Sequence, residues 1–423
     1  MEIVFDRCAG IAVHKRTAVV CRLTLVDGRR SVETRTFATT TDDLLRLSDW
    51  LSAGGCTHVG LESTGVFWKP IFNILAGSFE VWLLHAEHIK AVPGRKTDVK
   101  DAQWIAELLR HGLVRPSFIP PRHQRELREL TRHRTNFVRE RAMLVNRVQQ
   151  VLDDANIKLA GVATASMGLS GRAMLAALVA GQTDAAALAD LAQGRLRKQR
   201  EQLELALSGR LGAHHRCLLA ELLAQIDRLE DTLARFDAQI AATCTANAEA
   251  ELVALLETIP GIGRATAELL VAEVGADASR FPSAAHLAAW AGLAPGNNER
   301  GGRQRSGRTR KGNAWLRTAL VQAAQAAART KQTFLAAQYH RIAARRGKKQ
   351  AVVAVAHSLL VIAYHIIARR EPYHELGADD VDRQQPLATA HRLIKRLRGL
   401  GYSISLDALA AAAPSQETPA MLT

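Results

Sequence analysis

Residues 8–37 read CAGIAVHKRTAVVCRLTLVDGRRSVETRTF. Ala9 to Val13 is a short apolar run, and Thr17 to Val26 is rich in Val, Leu and Thr, residues that suit a pleated, half-buried surface. Asp27-Gly28 supplies the chemistry of a tight hairpin turn. The pattern predicts strand, turn, strand, turn, strand, with three antiparallel strands as the outcome. Beyond it, Thr39 to Thr41 followed by Asp42 and Asp43 forms a helix N-cap region, and Leu44, Leu45, Leu47 and Leu51 give that helix an apolar face. Thr57 to Glu62 reads as a buried strand, Val66 to Leu75 as a second helix and Phe79 to Leu84 as a fifth strand, before a helix that carries Asp98.

Three antiparallel strands followed by alternating helix and strand is the order of a ribonuclease-H-like α/β fold. In such a sheet the first strand is central, the strand ending at Glu62 runs beside it, and a late helix crosses the same edge. That helix begins in Arg95-Lys96-Thr97-Asp98-Val99-Lys100-Asp101, where the two carboxylates at i and i+3 share a face. Alone, with Lys96 and Lys100 beside them, they read first as a solvated helix face of alternating charge. With Glu62 as a third acid they become a candidate metal site. Crowded carboxylates share divalent cations, and two hard cations about 3.5–4 Å apart can activate a nucleophile and stabilise a leaving oxygen at a phosphodiester. The first strand of such a site supplies its own acid, and Ala12 stands at that position.

The chain has 423 residues, too many for one core, and is 48% apolar, which excludes wholesale disorder. Its net charge of +15 and pI near 10.1 favour a polyanionic partner, nucleic acid before a membrane surface. No segment is expected to approach the roughly 20 apolar residues of a membrane span. Met1 to Cys8 carries charges in place of an apolar signal core, so a cytoplasmic protein is expected. Cys8, Cys21, Cys56, Cys217 and Cys244 are odd in number and lack CxxC spacing, which suggests small buried side chains and neither disulfides nor zinc.

From Arg122 to Leu152, Leu130, Phe137, Leu144 and Val151 recur every seven residues with Val148 filling in, the pattern of half a coiled coil. Eight arginines and no lysine fall between Arg122 and Arg147. Arg125, Arg128, Arg132 and Arg139 lie within one broad face and are candidates to track a phosphate backbone. Asn156 to Gly194 is small-residue-rich and carries no assignable chemistry. Leu219, Leu222, Ile226, Leu229, Leu233, Phe236 and Ile240 form a second coiled-coil helix, whose partner is either the Leu130 helix or another chain. Ile259-Pro260-Gly261-Ile262-Gly263-Arg264 has the look of a helix-hairpin-helix turn in which Gly261 and Gly263 expose backbone N–H groups to a phosphate; a plain helical turn is the alternative. Pro295 to Asn313 reads as a loop for a nucleic-acid backbone. Arg300, Arg303, Arg305, Arg308, Arg310 and Lys311 are its cations, Ser306 and Thr309 its only hydroxyls, and no acid follows Glu299 in it. A helix from Ala314 to Thr330, the basic run Arg341 to Lys349 and an apolar helix Val352 to Ile367 follow.

GIAVHKRT, LESTGVFWKP, VPGRKTDVKDAQWIAELLRHGL, IPGIGRATAELL, WAGLAPGNNE and SGRTRKGN occur in that order across nearly the whole chain. Together they resemble the insertion-sequence one-ten family of transposases, which includes the pilin-gene invertases and has members guided by a bridge RNA. The resemblance implies a RuvC-like DEDD domain over residues 1–120, a helical coiled-coil region over 121–250 and a C-terminal transposase domain with a serine nucleophile over 251–370; residues 371–423 form a small extension. It implies DNA as substrate, Mg2+ as cofactor, a structured guide RNA and a homo-oligomer, dimer or tetramer, as partners. The four acids of the family map to Ala12, Glu62, Asp98 and Asp101, and its serine maps to Arg300, so two positions depart from the pattern. Ser306 is the nearest substitute hydroxyl. Three functions are expected in competition: a transposase, a catalytically silent DNA- or RNA-binding protein, and a RuvC-like nuclease using metal and water.

Overall fold

The computed structural model describes residues 3–26, 29–63, 65–84, 98–162, 167–296, 298–300, 303–306, 309–380, 383 and 386–402. The Asp27-Gly28 turn and residues 95–97 lie outside the described residues. The chain divides into two compact units, Met1–Pro121 and Arg122–Thr423.

In the first unit, β1 (Cys8–Val13), β2 (Thr17–Val26), β3 (Arg29–Ala38), β4 (His58–Glu62) and β5 (Glu80–Leu84) form one mixed sheet in the order β3-β2-β1-β4-β5. The first three strands pair antiparallel, while β4 runs parallel to both β1 and β5. β1 is buried on both faces, which accounts for its continuous apolar run. Its odd positions Ala9, Ile11 and Val13 meet α1 (Thr41–Ala53) and α2 (Trp68–Leu75). Its even positions face α3 (Asp98–Arg110). A methyl group on Gly10 would lie 2.3 Å from the carbonyl oxygen of Ala102 and the nitrogen of Ala106, so α3 rests directly on the strand backbone there. Gly60 of β4 makes the equivalent approach to Ile105.

The second unit is built on two long helices, α4 (Arg122–Asp154) and, after four short helices α5 (Leu159–Val162), α6 (Leu169–Val179), α7 (Ala185–Asp190) and α8 (Arg200–Leu207), α9 (Ala213–Ala246). The long pair is antiparallel and within one chain: Arg134 pairs with Asp237, the Arg141 Nε donates to Glu230 at 2.8 Å, and the Phe137 and Phe236 rings meet edge to face at 5.2 Å. One end of the pair packs with α5 to α8 around Leu144, Val148 and Leu219. The other end packs Leu127 and Ile240 into a core with α10 (Ala250–Glu257), α11 (Arg264–Val274), α12 (Ala284–Trp290), α13 (Ala314–Ala327), α14 (Phe334–Arg346) and α15 (Lys348–Arg369). Of the expected seven-residue seam Leu144 is buried and Leu130, Phe137 and Val151 are half-buried, Phe137 against Phe236, while Leu127, Thr131, Val148 and Leu152 are buried beside them. The first half of α4 packs against α11 as well as α9, which turns its buried face.

Two further expectations change. Pro295 to Asn313 is not loop throughout: β6 (Asn298–Arg300) and β7 (Arg303–Ser306) pair as a two-stranded antiparallel hairpin, closed at its base by a bridge between Pro295 and Thr309. Nor is the chain without a long apolar helix. α15 has 22 residues, with a window of mean hydropathy 2.1 that is long and apolar enough to cross a membrane. Ala351, Val355, Leu359, Leu360, Ala363 and Ile367 are buried in the core just described, and α15 is the helix around which that core assembles. The last described helix is α16 (Pro386–Gly399). Four of the five cysteines are buried and Cys217 is exposed; all are free. Burial pushes the Cys8 thiol up to about 12, which makes it inert.

Candidate active site

The positions expected to carry acids converge on one end of the sheet. The last paired residues of β1 and β4 are Ile11 and Leu61, so Ala12 and Glu62 are the next positions in line on adjacent parallel strands. Both belong to the sheet face that α3 covers, because Gly10 and Gly60, two residues earlier, are its points of contact. Gly10 meets Ala102 and Ala106 while the Cys8 Sγ lies 3.6 Å from the Ala106 carbonyl oxygen, so α3 runs antiparallel to β1. Its first turn, with positions 98 and 101, therefore stands over the strand end that holds positions 12 and 62. The positive end of the helix dipole lies there too and favours negative charge. The side chain of Asp98 lies outside the described residues. Glu62 and Asp101 are half-buried. Ala12 is 2% exposed and packs among Val19, Cys21, Leu84 and Ala102.

The arginines of α4 are divided between the inside and the outside of the protein. The Arg128 Nε and Nη2 donate to the carbonyl oxygens of Ala272 (2.8 Å) and Glu273 (2.5 Å), the last turn of α11, where a cation complements the dipole. Burial lowers the pKa of Arg128, which Glu273 opposes. Arg132 forms a bidentate pair with Glu273, at 2.7 and 2.9 Å. The Glu273 side chain is fully buried and also accepts from the Asn313 Nδ2 at 2.7 Å. Asn313 in turn caps α13, its Oδ1 accepting from the nitrogens of Trp315 and Leu316. Arg139 is exposed and lies 4.9 Å from the centre of the Trp315 ring, a cation–π distance. Arg125 is half-buried. Glu273, Asn313 and Trp315 escaped the sequence reading, although a lone acid in the apolar run Leu269 to Val274 signals a buried charge that needs a partner.

Glu273 thereby ties α4 and α11 to the end of the basic stretch. Gly312 abuts Gly292, whose backbone nitrogen would lie 2.3 Å from a methyl group on Gly312. Arg310 and Lys311, just before this contact, are exposed. The side chains of Arg300, Arg303, Arg305 and Ser306, and all of Arg308, lie outside the described residues. In the Pro260 turn the two glycines differ. Gly261 has φ +89 and faces α13, where a methyl group would lie 2.5 Å from the Ala323 carbonyl oxygen. Gly263 is exposed, heads α11 without a side-chain cap and has open space where a side chain would be.

A separate cluster, Asp154, His214 and His215, brings its ligand atoms within 4.8 Å of one another. The Gly212 N–H donates to the His215 Nδ1 at 3.1 Å, so Nε2 carries the proton and donates to the Asp154 Oδ2 at 2.8 Å. Both ring nitrogens of His215 are thus committed and neither has a lone pair for a metal. The cluster clamps the end of α4 to the start of α9, and the hydrogen bond from His215 holds the Asp154 carboxyl below its usual range.

Residues 9–157 match the DEDD transposase domain model of IS110 elements, described as "Transposase". Residues 253–340 match the model described as "Transposase IS116/IS110/IS902 family". The chain is similar to the transposase for insertion sequence element IS1111A of Coxiella burnetii, 26% identical over 69% of this chain and 72% of that protein. It is 28% identical to a probable family 20 transposase of Pseudomonas aeruginosa over 56% of this chain and 61% of that protein. A pilin gene-inverting protein of Moraxella bovis is 34% identical over 28% of this chain and 38% of its own length. Two models of one family, matching in order on residues 9–157, which hold the sheet, α3 and α4, and on residues 253–340, which hold α11, α12, the basic hairpin and α13, together with these relatives, identify the chain: it belongs to the IS116/IS110/IS902 family of transposases.

Proposed function

We propose that the chain is a DNA transposase or site-specific recombinase of an insertion sequence, with a ribonuclease-H-like (RuvC-like) first unit. The observation that carries this reading is the register of β1 and β4 beneath the first turn of α3, which brings positions 12, 62, 98 and 101 to one sheet end. Glu62, Asp98 and Asp101 would hold Mg2+. Such a cation, when bound, polarises a phosphodiester and lowers the pKa of an attacking hydroxyl. Three carboxylates suit one hard cation completed by water, whereas a second cation lacks the ligand that Ala12 does not provide. Two helices joined by the Pro260 turn support a helix-hairpin-helix, and the α4–α9 pair supports an intrachain coiled coil. Gly263, Arg310, Lys311 and Arg139 keep the exposure that phosphate contact needs, while Arg128 and Arg132 are engaged by Glu273 and the end of α11. A structured guide RNA and assembly into a dimer or tetramer complete the reading.

A second reading, a catalytically silent nucleic-acid-binding protein, is favoured by one observation: Ala12 is sealed in an apolar cluster at the vacant acid position. Arg300 likewise offers no hydroxyl where the family pattern has serine. Excision of a marked element in cells tests both. The transposase reading expects a low but detectable level of excised junctions, rising at least about tenfold when Ala12→Asp and Arg300→Ser are made together. No junctions from either chain, with nucleic-acid binding retained, would select the silent protein and reject the residue assignment.

A further inference from the structure

The positive charge of this chain is not spread over it. From Arg300 to Arg370 there are sixteen Lys and Arg residues and no Asp or Glu. The remainder carries 40 basic against 41 acidic residues, so this single stretch holds the entire cationic excess. Within it, α13, α14 and α15 border an open cleft of about 940 Å³. Arg317, Arg329, His340, Lys348 and Lys349 line it, and its floor is apolar, with Val321, Val352 and the half-buried ring of Tyr339.

Two features show that these cations lack a use inside the protein. None of the five forms an ion pair with a described residue, and no acid lies anywhere in the Arg300 to Arg370 stretch that carries them. Lys348 and Lys349 moreover occupy the first turn of the 22-residue α15, whose N-cap Gly347 provides no side-chain acceptor. Cations at that end oppose the helix dipole, an unfavourable placement that a bound anion reverses. A phosphate alone would not need the apolar floor or the aromatic ring. A polyanion with exposed flat apolar faces uses both, and an unpaired nucleic-acid strand is that ligand, since a duplex keeps its base faces stacked inside. The choice of DNA over RNA as the strand rests on the proposed function, whose substrate is DNA.

We infer that the cleft between α13, α14 and α15 binds single-stranded DNA, its phosphates on Arg317, Arg329, Lys348 and Lys349 and a base against Tyr339. This site is independent of the sheet-end acids and requires no metal. The test is fluorescence anisotropy of the full chain with a labelled oligodeoxythymidylate of about ten nucleotides, within the length that single-strand sites cover, in EDTA so that the carboxylate site plays no part. The expected result is tighter binding of the single strand than of a duplex of equal length or of oligouridylate. Arg329→Glu with Lys349→Glu should weaken it at least about tenfold, and Tyr339→Leu, which keeps the apolar packing, at least about fivefold. Irradiation of a bromodeoxyuridine-substituted strand with the unaltered chain should crosslink to the peptide that contains Tyr339, a readout that does not depend on how the variants fold. Preference for duplex or for oligouridylate, unchanged affinity in folded variants, or crosslinks confined to other segments would overturn the assignment.

Discussion

Glu273 decides more of the second unit than any other single residue. Fully buried, it is compensated by Arg132, Arg128 and Asn313, which belong to α4 and to the cap of α13. Removing one partner of such an arrangement leaves a buried charge uncompensated. Glu273→Ala should therefore lower stability by about 3–5 kcal/mol, read from urea denaturation, whereas the exposed pair of Arg46 with Asp42 should contribute below about 1 kcal/mol. Positions 12, 62, 98 and 101 were legible in the sequence because their motifs and their order announce a sheet end. Glu273 was not, because its partners lie 141 and 40 residues away in the chain and no local pattern connects them. The same distance hid the fate of Arg128 and Arg132: from the sequence an arginine on an exposed face and one that caps a remote helix look alike.

Elements were legible where a period was strong. The Val, Leu and Thr content of β2 and the apolar run of β1 marked the three antiparallel strands, and the Pro260 turn lies between two helices as expected. The hairpin β6–β7 was hidden because glycine and arginine carry no β signal, and the burial of Leu127 and Thr131 beside the α4 seam was hidden because α11 as well as α9 covers that helix. The Pro260 turn makes a direct prediction. Gly261 has positive φ and touches α13 backbone, so Gly261→Ala should destabilise the unit by about 1–3 kcal/mol in a chemical melt. Gly263→Ala, with open space around it, should leave stability within about 1 kcal/mol and weaken only nucleic-acid binding. A third prediction concerns Glu249, between α9 and α10. Burial raises its carboxyl pKa against the pull of His123 and Arg370, and its Oε2 has no hydrogen-bond partner. A folded-state pKa above the unfolded one means that stability is lost as pH rises from the ordinary carboxyl range through the raised value. Replacing it by Gln should remove that loss. Stability measured from pH 4 to 8 should fall less steeply in Glu249→Gln than in the parent, with the two converging at the acid end.

At the scale of the whole molecule, length, charge and motif order announced a chain of several parts acting on a polyanion, and family membership agrees. What composition could not disclose was the partition: sixteen cations in one acid-free stretch, with the remaining residues balanced. Nor did it disclose that the most apolar helix, α15, is a core helix, since length and hydropathy are blind to what packs around it. The central claim is that acids from separated segments meet at the end of β1 and β4 and hold a divalent cation. Calorimetric titration of the full chain with Mn2+, in place of Mg2+, tests it most directly. Glu62→Gln should abolish tight binding, and Ala12→Asp, which adds a carboxylate to the same sheet end, should strengthen it at least about tenfold. Mn2+ binding that is identical in the parent, Glu62→Gln and Ala12→Asp chains would contradict the account.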